Sequence, residues 1–127
     1  MKVVNPDTLP HARGYNNGII SGNFVFVAGQ IGWDRTGKLA QGLPAQFERA
    51  LANVISILHA AGSTAEKIVR FTIFIKDKED YLNNQKRIGE VYRKKMGKHF
   101  PVMSLVIVKD LLEPGALVEI EATAGLE

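Results

Sequence analysis

The segment Leu117 to Ala124 constrains the fold most, because its alternation suits a β-strand. Val118, Ile120, Ala122 and Ala124 share one face, and Leu117, Glu119, Glu121 and Thr123 share the other, since successive strand side chains point to opposite sides of a sheet. The first face belongs to a core. The second carries two carboxylates roughly 6.5–7 Å apart, the two-residue repeat of a strand. Such a pair is either a solvated outer face, the commoner arrangement, or a site where burial and mutual repulsion raise a pKa for proton transfer.

The rest of the chain supplies partners for that strand. Ile19-Ile20 and Phe24 to Ala28, joined by Ser21-Gly22-Asn23, read as a hairpin. Gly29 to Gly37 reads as a loop rich in turn formers. Between Leu43 and Ala61, Phe47, Leu51, Val54, Ile55 and Leu58 recur every three or four residues, with Pro44 suited to a first turn and Gly62 to the stop, which predicts an amphipathic helix. Ser63-Thr64-Ala65-Glu66 resembles a capping box. Val69 to Lys76 alternates as a strand, and Glu79 to Met96 reads as a second helix stopped at Gly97. Val102–Val108 and Ala116–Ala124 complete the strands, with Glu113-Pro114-Gly115 turning between them.

The resulting order predicts an α+β fold, a mixed sheet with two helices on one face. Two helices cover one face only. Phe24-Val25-Phe26-Val27 and Val106-Ile107-Val108 are apolar on both, so the uncovered face is expected to be buried by identical subunits in a closed homo-oligomer.

A chain of 127 residues, 46% apolar and without a linker, is expected to form one domain over residues 1–127. The 16 Lys and Arg are dispersed apart from Arg93-Lys94-Lys95, where cations suit the end of a helix, and few aromatics interleave with them, which disfavours nucleic acid as a partner. The absence of Cys excludes disulfides and thiolate chemistry and suits a reducing compartment. No apolar run approaches a signal peptide or a membrane span, so a soluble, cytoplasmic protein is expected. His11, His59 and His99 lack the short spacing of metal motifs, so no metal site is expected.

The succession Gly14-Tyr15, Val27-Ala28-Gly29-Gln30-Ile31, Ala50-Leu51-Ala52-Asn53-Val54, Phe100-Pro101-Val102 and Val118-Glu119-Ile120-Glu121-Ala122 resembles the Rid family, the YjgF-type reactive intermediate deaminases, over nearly the whole chain. The resemblance implies chorismate-mutase-like subunits assembled as a homotrimer around a central barrel, with a small-molecule pocket in each cleft between neighbours. It also implies hydrolysis of enamines and imines to 2-keto acids and ammonia, with no metal or organic cofactor. The family's pocket Tyr falls on Tyr15, its Gly-Gln on Gly29-Gln30 and its acid on Glu119. Where deaminating members carry an Arg that grips the substrate carboxylate, this chain has Met103; Ala28 replaces a hydroxyl residue and Lys86 an Asn. Loss of a charge-assisted bidentate contact, about 1.5–3 kcal/mol, weakens carboxylate binding roughly tenfold to a hundredfold. Either another cation takes over the grip, or the ligand is apolar at that end and Met103 packs on it. Met being a common pocket filler favours the second.

Glu119 is accordingly a candidate general acid/base that orients water, with Glu121 a structural acid at a subunit interface. Tyr15 either bonds a ligand or anchors its loop. Gly29, Gln30 and Ile31 offer backbone groups to a ligand or simply end a strand. Trp33 and Phe100 either wall a pocket or belong to a core. The expected function is a cofactor-free hydrolytic deaminase of enamines or imines, or of a larger unsaturated amine such as an aminomuconate. The alternative is a non-catalytic trimer that binds a small metabolite.

Overall fold

The computed structural model describes residues 1–127. It contains strands β1 (Lys2–Val4), β2 (Gly18–Ser21) and β3 (Phe24–Ile31), helix α1 (Leu43–Ala60), strand β4 (Ile68–Ile75), helices α2 (Lys78–Asn83) and α3 (Gln85–Met96), and strands β5 (Val102–Ile107) and β6 (Val118–Gly125). The six strands form one sheet in the order β1-β2-β3-β6-β4-β5. Only β4 and β5 run parallel, as a connection through α2 and α3 allows. The fold is the α+β arrangement expected from the sequence.

The core lies between the sheet and the helices. Val25, Val27, Phe71, Ile73, Val118, Ile120 and Ala122 bury one sheet face against Phe47, Leu51, Val54 and Leu58 of α1 and Ile88 and Tyr92 of α3. The other face has no cover within the chain. Phe24 and Phe26 stand half-exposed there, and Val102 and Val106 of β5 are also exposed.

Four sequence expectations need correction. The helix expected over 79–96 is two, because Asp77 caps α2 by accepting from the Glu79 and Asp80 N–H groups, and Asn84 donates back to the Asp80 carbonyl and carboxylate. Such local bonds compete with helix propagation. Ser63 forms no capping box; its hydroxyl donates to the Gly125 carbonyl at 2.6 Å, and Ala65–Lys67 is a single 3₁₀ turn. A short strand, β1, joins the sheet edge unforeseen. Finally, Gly29, Gln30 and Ile31 belong to β3 rather than to the loop after it.

Candidate functional site

That last correction creates the site. Val27 pairs with Ala122 and Gln30 with Ile120, so Ala28 and Gly29 together oppose Glu121 alone. Two residues against one is a β-bulge, which bends a strand and re-aims its neighbours. On the β2 side the Ala28 N–H donates to the Asn17 carbonyl at 2.8 Å. The Asn17 N–H in turn donates to Asn5 Oδ1 at 2.8 Å, and the buried Gln30 amide donates to Asn17 Oδ1 and to the Ala28 carbonyl. These bonds tie the irregular segment carrying Tyr15 to the bulge.

Glu119, paired with Ile31, projects from β6 over Gly29. A Cβ at Gly29 would fall on the Glu119 carboxylate, 2.7 Å from its Cδ and in contact with Oε2. Glycine is therefore needed for the acid to lie where it does. Partial burial pushes the Glu119 pKa above its usual 4.5, and the Glu121 charge adds to the shift.

A cavity of about 370 Å³ opens at this point, lined by Tyr15, Asn17, Gly29, Trp33 and Glu119 together with Leu112 and Glu113 from the β5–β6 connection. Ala28, Gln30 and Ile31 also border it. Asn53 of α1 holds the exit of β3 by donating to the Ile31 and Trp33 carbonyls at 3.1 and 2.9 Å, and Arg49 Nε donates to the same Trp33 oxygen. The Gln30 side chain is committed to these internal bonds, so only its backbone is free to meet a ligand. Sequence reasoning missed Glu113, which reads only as part of a turn.

Met103 and Phe100 lie elsewhere in the chain. They line a second cavity, of about 200 Å³, between β5 and α3, with Gln85, Gly89, Tyr92 and Arg93. Met103 is in register with Phe71 and thus on the helix-covered side of the sheet, whereas Glu119 projects from the uncovered side. One chain does not bring the two groups together. Phe100 stacks on Tyr92 with ring centroids 5.4 Å apart, and the Tyr92 hydroxyl donates to the His99 carbonyl. His99 is itself engaged with the Ile68 carbonyl. Lys86 is exposed. No three His, Asp or Glu side chains converge as a metal-ligand set, and no helix is long and apolar enough to cross a membrane.

The profile of the endoribonuclease L-PSP family matches residues 6–126. The 2-iminobutanoate/2-iminopropanoate deaminase of Salmonella typhimurium is 34% identical over 128 residues, covering 97% of this chain and 96% of the relative. The YjgF gene product of E. coli superposes with a TM-score of 0.88 at 32% identity over the full length of both chains. E. coli TdcF, solved with bound serine, gives 0.86 at 33% identity over 98% of each. With sequence, strand order and relatives in agreement, this chain belongs to the endoribonuclease L-PSP family, the group of the YjgF- and Rid-type proteins.

Proposed function

We propose that this protein is a hydrolytic deaminase of imines and enamines, with Glu119 as its general acid/base. The observation that carries this reading is the placement of Glu119. A carboxylate with a raised pKa lies over a glycine bulge, in a cavity bordered by a phenol and by backbone groups. A carboxylate so tuned accepts a proton from water and later returns it.

Water adds to the imine carbon as Glu119 takes its proton. Glu119 then delivers that proton to the nitrogen of the resulting carbinolamine and takes up its hydroxyl proton as the C=O bond forms and the C–N bond breaks. A protonated imine and water thus become a carbonyl compound and ammonia, with one proton left on Glu119 to be returned to solvent. Tyr15 and the Gly29-Gln30 backbone hold the substrate. Glu113 and Glu119 are the charged groups of this cavity, and no cation lines it, which suits a protonated imine and would repel the phosphates of an RNA. The deaminase name of the Salmonella relative supports the same chemistry.

The working form is a homotrimer. Its support is the apolar face that the chain leaves open, with Phe24, Phe26, Val102 and Val106 exposed on it. Since Met103 and Phe100 lie on the other side of the sheet from Glu119, a neighbouring subunit would have to bring its β5 cavity to this one. Each site would then be shared by two subunits. The chain works as one domain in the cytosol, without a cofactor.

The test is ammonia release from imines generated in situ, with small carboxylate-bearing and larger unsaturated substrates side by side. Glu119→Gln is expected to lower turnover about 10²- to 10⁴-fold, the usual contribution of a positioned acid/base. Turnover that survives this substitution would remove Glu119 from the mechanism, and the absence of release from every substrate would overturn the deaminase reading.

A further inference from the structure

The three consecutive cations Arg93, Lys94 and Lys95 at the end of α3 do not share one role. Lys94 pairs with Glu48 of α1 at 3.5 Å. Arg93 lines the cavity that holds Met103, Phe100 and Tyr92. The chain's ion pairs are Lys76–Asp110 and Lys94–Glu48, so the Arg93 guanidinium has no carboxylate partner. No Asp or Glu lines the cavity, and Gln85 adds an amide to it.

Gly89, one turn before Arg93, explains how the guanidinium comes to lie there. It sits inside α3 without the positive φ that would demand glycine, and glycine within a helix costs stability relative to alanine. A Cβ at Gly89 would meet Arg93 Nη1 at 3.2 Å, closer than a comfortable contact. The missing side chain leaves room for the guanidinium to fold back over the helix. An unpaired guanidinium is a bidentate donor fork matched to a carboxylate. Beside it, the stacked Tyr92 and Phe100 rings and the Met103 thioether form an apolar wall.

We infer that Arg93 is the cation of a carboxylate subsite in the cavity between α3 and β5, taking flat monocarboxylates whose unsaturated or aromatic body packs on Phe100 and Met103. At about 200 Å³ the cavity suits a small ligand rather than a drug-sized one. This deepens the deaminase reading, on which it rests only for what the bound molecule then undergoes. Under that reading the preferred substrate is a planar, unsaturated imino acid, gripped by Arg93 in place of an Arg at position 103. The sequence alone favoured an apolar ligand end at Met103; the placement of Arg93 supplies the cation instead.

The test is a titration of the intact protein, methyl-labelled at its 3 Met residues, with benzoate and with the neutral benzamide, followed by NMR. Benzoate should shift the Met103 methyl selectively and bind at least about tenfold more tightly than benzamide, as loss of a charged hydrogen-bond partner implies. Arg93→Ala should reduce benzoate to the affinity of benzamide, Arg93→Lys should restore part of the difference, and Gly89→Leu should weaken both ligands by filling the cavity. The subsite is overturned by unchanged benzoate affinity in Arg93→Ala, by shifts confined to Met1 or Met96, or by no saturable binding. Arg93-dependent binding without ammonia release from any substrate would leave the subsite standing and remove the deaminase reading. Turnover of carboxylate substrates indifferent to Arg93→Ala would do the reverse.

Discussion

The two cavities of this chain are built by opposite means. The Glu119 cavity is made by backbone: a bulge, the glycine at its centre, and amide side chains whose bonds are spent holding loops. The Met103 cavity is made by side chains: the Tyr92 ring, a thioether and a guanidinium on regular elements, with the Phe100 ring stacked from the α3–β5 connection. Their charges are opposite as well, carboxylates in the first and an arginine in the second. A backbone-built site fixes a reacting group within narrow limits, whereas a side-chain-built site is easily re-tuned for a different ligand. On the proposed function, chemistry belongs to the first and substrate choice to the second. An imino acid in its protonated form, positive at nitrogen and negative at the carboxylate, matches the pair only if two subunits bring them together.

The sharpest way to break this division is to separate the subunits. Phe26→Asp places a charge in the middle of the open face, where burial without a partner is costly. On the proposed trimeric assembly, sedimentation should show monomers in its place, and ammonia release should disappear although both cavities remain intact. Full turnover by a monomer would show that one chain's Glu119 cavity suffices.

Within the backbone-built cavity, Gly29→Ala asks how narrow the limits are. Its Cβ would strike the Glu119 carboxylate, and displacing a reacting group by about 1 Å can cost a hundredfold in rate. Turnover should fall about that far while benzoate binding at the other cavity is retained, and equal losses in both would argue against separate roles. Gln46→Ala examines the support beneath. The buried Gln46 amide donates to the Ala40 and Gly115 carbonyls and accepts from the Leu117 N–H at 2.8 Å, fastening α1 to the start of β6. Stranding these groups should cost about 1–3 kcal/mol, seen as a lower urea midpoint with an unchanged slope.

The same contrast explains what was legible in the sequence. The periodic parts read correctly, since Phe47, Leu51, Val54 and Leu58 on α1 and Val118, Ile120 and Ala122 on β6 declare their buried faces by spacing. The bulge did not, because Val27-Ala28-Gly29-Gln30 looks like a strand ending in a turn until Asn17 and the register of β6 are known. Glu119 was therefore legible as a candidate acid and Gly29 as a backbone contact, while the room that Gly29 leaves for the carboxylate and the Glu113 that joins it were not. Arg93 was hidden for a different reason. At a helix end its charge has the same dipole rationale as those of Lys94 and Lys95, and only three-dimensional packing separates the cation over the cavity from the one paired with Glu48. Local sequence cannot say which face a neighbouring element will occupy.

The finest distinction concerns the two acids of β6. Burial is the larger cause of the raised Glu119 pKa, and the charge of Glu121 is the second. In its proposed role of water-activating base, Glu119 must be ionised, so turnover is expected to fall as pH drops through its pKa. Glu121→Gln removes the repulsion but not the burial. The acid limb of kcat/KM should therefore move to lower pH yet stay above the ordinary 4.5 of a glutamate. Stability follows the same sign. A carboxyl whose pKa is raised on folding contributes stability that is fully present below 4.5 and lost as pH rises through the raised value. Glu119→Gln should remove that loss, flattening the decline in unfolding free energy over this interval, and Glu121→Gln should make it smaller. An acid limb that stays in place or moves upward in Glu121→Gln would mean that Glu121 does not act on Glu119 through its charge, leaving burial alone to tune the acid.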